Sequence, residues 1–394
     1  MNKRKMSFAI SVCIILMVII STLGFPSKGQ SEEKIVIGMV NCLSGFGADM
    51  GLAGRQGGEI AVEEINAAGG INGKKLELII RDSESNPGKG VAAVNELIFR
   101  KRVKVIMGTN LTHVSNAVNK IINDQKVLYL TMGTGNILVN PAKYPYTFRF
   151  NVSTEIEAKA LIKYVVETLK AKNIGMIHDS TAYGQTGYGS VLMALKPYGI
   201  KLVGHESYNP GDTDMTGQLL KLKNAGAEVL VGWGTGPHLA QVTNSSARIK
   251  WYPTTVAGIG LHNFAFKGLS AKDVAKNWYG TLHTSYTYPK GGKVPPSTKK
   301  FNDRIIAKYG ADIKSFVPNA AMWYDMIQLY AKAVKKVGSQ DPDAIKEFLK
   351  GTSRYKGIVA TYSWSPTDFD GFNLSDLSIA HSIRGDVFGK ELLE

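Results

Sequence analysis

The sequence predicts an α/β protein made of two similar lobes, each built around a parallel β-sheet. Short apolar segments alternate with amphipathic helical patterns along most of the 394 residues. This alternation is typical of parallel sheets that are covered by helices on both faces. The same order begins a second time after residue 150, and a chain of 394 residues can bury two separate cores.

The first half of the chain contains four apolar segments with helical patterns between them. The predicted strands are 34–40, 75–82, 103–109 and 127–133, and the predicted helices are 52–68, 88–101 and 112–124. Right-handed crossovers place the C-terminal ends of such strands, and the loops after them, on one edge of the sheet. Loops that follow strands are therefore the first places to look for a binding site.

The second half repeats this order and then departs from it. The predicted helices are 154–170, 187–198, 214–224 and 236–248, and the predicted strands are 173–179, 201–208, 228–234 and 253–260. A Pro/Gly-rich link at 286–296 precedes a helical region at 298–350, and the segment 358–373 shows two short strand patterns. Two lobes joined by extended segments would leave a cleft between them, where ligands usually bind.

The N-terminus has the pattern of a secretory signal peptide. The basic residues Lys3, Arg4 and Lys5 precede an apolar run, and Gly24 is one possible cleavage point, which predicts a signal peptide at 1–24. The alternative is an uncleaved membrane anchor, although the apolar run 8–23 is shorter than the roughly 20 residues that span a bilayer. Cleavage would leave Cys42 without a second cysteine and therefore without an internal disulfide.

The charge of the chain is basic but dispersed. The formal net charge is +15, and loss of the three basic residues of the leader would leave +12. The basic residues are mostly lysines spread along the chain, whereas a nucleic-acid surface usually joins a concentrated basic stripe with stacking aromatic residues. The charge therefore predicts a solvated surface, or one that faces anionic lipid headgroups, and no nucleic-acid partner.

The glycine-rich turn "LSGFGADMGLAG" at 43–54 does not fit a nucleotide site. Its glycines run G45-x-G47-x-x-x-G51, one residue longer than the spacing with which a dinucleotide fingerprint holds a pyrophosphate. A P-loop, a G-x-S-x-G elbow and histidine pairs with helical metal-ligand spacing are all missing from the sequence. The sequence therefore predicts no cofactor and no metal, and it favours a capping or surface role for His178 and Asp179.

Loops after several predicted strands carry small residues, amides and hydroxyls. "GTNLTH" at 108–113 enters a helix, so its backbone N–H groups and the Thr112 hydroxyl could hold a carboxylate. The alternative is that Asn110 or Thr112 only caps that helix. Tyr183 and Trp233 follow strands of the second lobe and could cover the apolar part of a ligand, although core packing is an equal alternative for both.

The segment "AGGINGKKLEL" at 68–78 and the D-x-x-x-N-P motif from Asp82 to Pro87 resemble the branched-chain amino-acid-type solute-binding proteins of ABC importers. "HDSTAYGQTG" at 178–187 and the segment 211–234 extend this resemblance over essentially the whole mature chain. The resemblance implies the type I periplasmic-binding fold, with two Rossmann-like lobes joined by three crossover segments near 150–154, 282–289 and 357–361. Lobe 1 would then comprise 34–150 plus 286–358, and lobe 2 would comprise 151–285 plus 359–394.

The resemblance also implies which loops meet the ligand. The implied ligand-binding residues are Phe46, Met50, Asn110, Leu111, Thr112, Met132, Gly133, Thr134, Tyr183, Trp233 and Ile259. Amino-acid-binding members usually place an acidic residue where this chain has Ile259, to pair with the α-amino group. Neutral residues there favour an uncharged or anionic ligand, while Tyr183, His262 or Asp179 keeps an amine-bearing ligand open.

These observations predict an exported, non-enzymatic binding protein that works in the periplasm or outside the cell. It would close around a small carboxylate-bearing or amide solute, such as an amino acid, an aromatic or aliphatic acid or an amide, and deliver it to the permease and ATPase subunits of an ABC importer. A ligand-sensing module of the same fold is the alternative function. We expect a monomer.

Overall fold

The computed structural model of the protein describes residues 34–393. Its first sheet has five parallel strands. The first four agree with the predicted strands to within a few residues, and the fifth, at 147–149, was not predicted. The strands are β1 (Ile35–Asn41), β2 (Leu76–Asp82), β3 (Val105–Gly108), β4 (Leu128–Thr131) and β5 (Thr147–Arg149), in the spatial order β2-β1-β3-β4-β5. Strand β2 lies on one side of β1, and β3 and the later strands lie on the other. The loops after β1 and β3 therefore leave in opposite directions and leave a crevice between them.

Helices cover both faces of this sheet. They are α1 (Ala48–Ala67), α2 (Pro87–Asn95, continued by a π-helical turn Glu96–Arg100) and α3 (Thr112–Asp124). Three later helices complete the layer: α10 (Pro296–Tyr309), α11 (Val317–Val337) and α12 (Pro342–Lys350). Helix α11 is the most buried of them and packs against α1, although about 250 residues separate the two in sequence.

The glycines of the opening turn and of α1 serve this packing. A Cβ atom added at Gly57 would lie 1.9 Å from the backbone oxygen of Ala320 on α11. A side chain at this position would therefore push the two helices apart, since contacts under about 3 Å between carbon and oxygen are repulsive. The glycine-rich segment allows a close helix contact beside the strand-end loop.

The second sheet has eight strands and is mixed rather than wholly parallel. Its parallel centre contains β6 (Ile174–Asp179), β7 (Gly204–Tyr208), β8 (Val229–Trp233), β9 (Thr254–Ala257) and β10 (Trp278–His283). The edge strands are β11 (Thr287–Tyr288), β14 (Leu377–Asp386) and β15 (Gly389–Leu392), and the spatial order is β11-β15-β14-β10-β9-β8-β6-β7. A separate short hairpin pairs β12 (Tyr355–Lys356) with β13 (Thr361–Tyr362).

Helices of the second lobe cover both faces of this sheet. They are α4 (Thr154–Lys163, continued by a π-helical turn Tyr164–Thr168), α5 (Ala182–Leu195), α6 (Thr216–Asn224), α7 (Gly236–Arg248), α8 (Phe264–Leu269) and α9 (Lys272–Ala275). Separate apolar clusters lie on the two faces of the sheet. Trp278 is buried on one face and Trp233 on the other.

The C-terminal segment corrects one detail of the sequence interpretation. Strand patterns within 358–373 were expected, but the long strands lie later, in β14 and β15, and β14 runs antiparallel to both β10 and β15. Strand β11 also pairs in the second sheet, although residues 286–358 were assigned to lobe 1. The helices between Pro296 and Lys350 pack with the first sheet as expected, and the exact lobe boundaries stay a prediction.

Among residues 34–393, every helix is too short or too polar to cross a membrane. The predicted signal peptide at 1–24 lies outside the described residues and stays a prediction.

Candidate functional site

A small cavity of about 60 Å³ lies between the two lobes, at the C-terminal edges of both sheets. Loops that follow β1, β3, β4, β6, β8 and β9 all reach it. Its lining residues are Phe46, Met50, Asn110, Leu111, Thr112, His113, Thr134, Asn151, Asp179, Thr181, Tyr183, Thr235, Ile259 and Gly260. Eight of the eleven residues proposed from the sequence therefore surround one enclosed space.

The N-terminus of helix α3 forms the wall contributed by the first lobe. Leu111 is its N-cap residue, and no side chain accepts a hydrogen bond from the first turn of the helix. The first backbone N–H groups of a helix lack partners within the helix, and the helix dipole favours an anion beside them. The Thr112 and Thr134 hydroxyl oxygens lie 3.3 Å apart at the same place; one hydroxyl donates to the other, and the second hydroxyl proton is a further donor for a ligand.

The structure argues against a simple capping role for the residues of this loop. The amide of Asn110 donates to Asn41 Oδ1 at 2.8 Å and accepts from the indole nitrogen of Trp323 at 3.4 Å. These bonds tie the loop to β1 and α11 instead of capping α3. Thr112 likewise directs its hydroxyl towards Thr134, so both side chains position the wall of the cavity.

Phe46 closes one side of the cavity by bridging the two lobes. Its ring centroid lies 5.8 Å from that of His113 on the first lobe and 5.5 Å from that of His238 on the second. Met50, one helical turn along α1, lines the same side. The opening turn of the sequence therefore contributes an aromatic ring and a thioether to the cleft, while Gly45 provides the left-handed turn, with φ of +79°, that directs them there.

Asp179 supplies the negative charge of the opposite wall. Its Oδ1 accepts hydrogen bonds from the backbone N–H groups of Thr181 at 3.0 Å and Gly184 at 3.2 Å, and from the Thr181 hydroxyl. These bonds hold the start of α5, as the capping interpretation expected. Oδ2 takes no part in these bonds, and Asp179 is one of the residues that line the cavity. The sequence had left Asp179 as a secondary candidate.

Glu157 is a second buried carboxylate close to this wall, and sequence reasoning missed it. Its Oε1 accepts from the backbone N–H of Ile259 at 2.6 Å and from the Thr281 hydroxyl at 3.0 Å, while Oε2 is buried without a partner. Burial raises the pKa of Glu157 to about 7. Glu157 therefore lies behind Ile259 without lining the cavity, and it comes from the start of α4, where the sequence carries no distinctive signal.

Tyr183 lines the cavity with a hydroxyl that has no hydrogen-bond partner in the described structure. Burial, with Glu157 and Asp179 nearby, raises the pKa of Tyr183 well above its ordinary value, so the phenol stays protonated and can donate. Ile259 adds an apolar surface to the same wall.

Three residues proposed from the sequence do not line the cavity. Met132 is buried in the core of the first lobe, and a Cβ at Gly133 would collide with Leu138 and Ser115 rather than face open space. Trp233 is fully buried, with its ring centroid 5.8 Å from that of Tyr183, so it supports the wall from behind. Core packing, the alternative left open for Trp233, is what the structure shows.

His262, another candidate for an amine partner, is also outside the cavity. It is 2% exposed, and burial lowers its pKa to about 3. Within residues 34–393, no three His, Cys, Asp or Glu side chains are grouped as metal ligands would be.

Two lobes with a small cavity between them, at the edges of their parallel sheets, define a solute-binding protein of the two-lobed periplasmic type. The family model for periplasmic binding proteins matches residues 34–382, and the chain belongs to this family. The match confirms the predicted fold, and family membership implies an exported protein of the periplasm.

Curated relatives cover nearly the whole chain. The chain is 28% identical over 363 residues to Leu/Ile/Val-binding protein homolog 3 of Brucella melitensis, covering 90% of this chain and 95% of the relative. It is 26% identical over 330 residues to the leucine-, isoleucine-, valine-, threonine- and alanine-binding protein of Pseudomonas aeruginosa, covering 84% of this chain and 86% of that protein.

Solved structures share the fold. A type 1 periplasmic binding protein from Bordetella pertussis matches with a TM-score of 0.81 and 25% identity, covering 89% of this chain and 96% of that one. A branched-chain amino acid transporter substrate binding protein from Streptococcus pneumoniae, solved with isoleucine, matches with a TM-score of 0.78 and 24% identity, covering 92% and 99%. The relatives are binding proteins, and this protein is a binding protein and not an enzyme.

Proposed function

We propose that the protein is the solute-binding component of an ABC importer and that its solute is an α-amino acid with an apolar side chain. Among the small carboxylate-bearing and amide solutes that the sequence allows, this class fits the cavity best. The observation that carries the proposal is the placement of Asp179 opposite the N-terminus of α3, across one enclosed cavity.

The carboxylate of the solute would bind at the first lobe. Within residues 34–393, no side chain caps the first backbone N–H groups of α3, and one of the two hydroxyl protons of Thr112 and Thr134 is not used in the bond between them. A helix N-terminus with added hydroxyl donors is a general anion site, and an enclosed site strengthens each hydrogen bond.

The ammonium group would bind at the second lobe. A buried ammonium without a carboxylate or other acceptors is costly, which is why the neutral Ile259 argued against an amino acid. Asp179 removes this objection because its Oδ2 is not used by the start of α5. The Tyr183 hydroxyl provides a further polar atom beside it.

The side chain of the solute would lie against apolar residues of both lobes, namely Phe46, Met50, Leu111 and Ile259. These residues offer contact area without a polar partner, so polar side chains would lose hydrogen bonds on entry. The names of the relatives from Brucella melitensis and Pseudomonas aeruginosa, which refer to leucine, isoleucine and valine, support the same class.

Such a solute contacts both lobes only in the closed form. Binding therefore shifts the equilibrium from the open to the closed form. The size of this shift is set by how much more tightly the solute binds the closed form than the open form. A permease that recognises the closed form would then receive loaded protein in preference to empty protein.

The test compares leucine with 4-methylpentanoate, which keeps the carboxylate and side chain but lacks the amine. Isothermal titration should show that Asp179→Asn weakens leucine binding by about 2 kcal/mol or more, roughly 30-fold, because the ammonium loses its counter-charge. The asparagine oxygen can keep the bonds to Thr181 and Gly184, and binding of the acid should not weaken.

Asp303→Asn, on the surface of α10, serves as the matched control and should change neither affinity. Equal losses for leucine and the acid in Asp179→Asn would contradict the assignment of the ammonium to Asp179. If no amino acid binds but amides or aromatic acids do, the solute class itself is wrong.

A further inference from the structure

A basic groove lies on the first lobe, formed by the C-terminal half of α11, the end of α12 and the segment before the β12–β13 hairpin. It is about 1040 Å³ in volume and open to solvent. Its lining residues are Leu329, Lys332, Lys335, Lys336, Glu347, Phe348, Gly351, Thr352, Ser353, Arg354, Tyr355 and Lys356. We call this surface the basic groove.

The positive charge of the basic groove is not balanced by the protein. It contains five cationic side chains, and none of them has a carboxylate within 4.0 Å in the part of the chain that the structure describes. The acidic residue of the groove, Glu347, is already paired with Lys350 at 2.9 Å. Unpaired cations gathered around a concavity raise the local concentration of anionic partners.

The floor of the basic groove is aromatic. Phe348 and Tyr355 are both half-buried there, and the Lys332 ammonium lies 5.3 Å from the centroid of the Tyr355 ring. Cations around an amphipathic aromatic floor match a surface that has anionic groups above apolar chains.

The basic groove is remote from the solute cavity. Asn319 and Trp323, near the start of α11, donate to Met50 O and Asn110 Oδ1 beside the cavity. Lys336 lies 13 residues beyond Trp323 on the same helix, which corresponds to about 20 Å at 1.5 Å per residue. A partner in the groove would therefore leave the mouth of the cleft free.

The start of β1 lies at this same end of the lobe. Ile35, the first residue of β1, lines a small depression together with Val334, near the end of α11, and Gly338 and Gln340, just beyond it. The 33 residues that precede Lys34 include the basic and apolar leader segment. The basic groove and the start of β1 therefore lie at the same end of the first lobe.

We propose that the basic groove docks the protein on the anionic phospholipid headgroups of a membrane, independently of the solute. The first lobe would rest on the bilayer through the C-terminal end of α11, with the cleft pointing away from it. Each basic residue close to an anionic bilayer increases binding by roughly fivefold, and the attraction falls off within a Debye length.

The test measures co-sedimentation of the protein, in the form that cells export, with vesicles of phosphatidylglycerol and phosphatidylcholine. Vesicles of phosphatidylcholine alone measure any contribution from a retained leader. We expect stronger binding to the anionic vesicles than to phosphatidylcholine alone. The affinity for the anionic vesicles should fall tenfold or more in the combined variant Lys332→Gln, Lys335→Gln, Lys336→Gln and Lys356→Gln.

The matched control removes four exposed lysines of the second lobe: Lys172→Gln, Lys196→Gln, Lys201→Gln and Lys223→Gln. It lowers the net charge equally and should keep most of the binding to anionic vesicles. The affinity for leucine should be the same in both variants and in the native protein.

Equal losses in the two variants would overturn the proposal, because they would show that net charge alone attracts the vesicles. Equal binding of the native protein to the two lipids would also overturn it, as would binding only to acidic peptides and not to anionic vesicles.

Discussion

The side-chain amide of Asn263 donates a 3.0 Å hydrogen bond to Asp49 Oδ1, and this bond joins the first turn of α1 in one lobe to the start of α8 in the other. Asp49 lies beside the solute cavity, one residue before Met50, which lines it. The bond can form only when the lobes are closed. It therefore contributes to the closed form and is lost when the cleft opens.

Burial of Asp49 in the closed form makes closure sensitive to pH. Burial raises the pKa of Asp49 to about 6, whereas an exposed aspartate titrates near 4. The closed form therefore binds a proton more tightly than the open form, so closure is favoured as the pH falls through 6. We expect leucine affinity to rise roughly tenfold from pH 7 to pH 5, with proton uptake on binding, measured by titration calorimetry in buffers of different ionisation enthalpy.

Asp49→Asn keeps the acceptor for Asn263 and removes the ionisable group, so it should remove most of this pH dependence. An unchanged pH profile in Asp49→Asn would assign the effect to another group. Glu157, with a pKa of about 7, is a poor alternative because its partners Ile259 and Thr281 belong to its own lobe and do not separate on opening.

Thr112 provides a direct test of the carboxylate site. Its hydroxyl contacts Thr134 and does not cap α3, so Thr112→Ala removes a donor from the cavity without removing a cap. We expect the affinity for leucine to fall by about 1 kcal/mol or more, with little change in melting temperature. Thr112→Ser restores the hydroxyl and should recover binding. A loss of stability without a loss of affinity would show that Thr112 has only a structural role.

The sequence predicted the fold well because the fold depends on local patterns. Most strands of the parallel centres lie in short apolar segments, and their predicted boundaries differ from the structure by only a few residues. Strands β5 and β10 were not predicted. The strands β14 and β15 were not predicted because "LSIAHSIRGD" alternates weakly and gains its place from pairing with β10, a contact nearly 100 residues away in sequence. Such non-local pairing has no signal in a local window.

The site was predicted less completely, for a physical reason. The predicted topology located the loops that follow the strands. Phe46, Thr112 and Tyr183, which were predicted from these loops, line one cavity in the structure. Which side of a loop faces the ligand depends on packing, and for this reason Trp233 is buried behind Tyr183 while Asp179 faces the cavity. Glu157 reaches the site from a helix start whose sequence looks ordinary.

Arg149 and Asp370 form a buried ion pair where the first lobe meets the C-terminal segment. The guanidinium lies 3.2 Å from Asp370 Oδ2 and donates to the Gly135 carbonyl at 2.6 Å, and Arg149 is fully buried. Arg149→Met should lower the free energy of unfolding by about 2–4 kcal/mol, because it leaves the partly buried Asp370 without a counter-charge and the Gly135 carbonyl without its donor. Chemical denaturation should show that adding Asp370→Leu recovers part of the loss. A further loss in the double variant would contradict this origin.

Two glycines of α5 should respond in opposite ways to the same substitution. A Cβ at Gly187 would lie 2.4 Å from the indole ring of Trp233, whereas a Cβ at Gly189 would meet nothing within 4 Å. Gly187→Ala should therefore lower the free energy of unfolding by about 1–3 kcal/mol, because Trp233 must move, and its displacement should also weaken leucine binding through Tyr183. Gly189→Ala should raise the free energy of unfolding by up to about 1 kcal/mol, since alanine favours the helix and meets no obstacle. Thermal and urea unfolding of the pair measure both effects, and equal changes would contradict the close contact between α5 and Trp233.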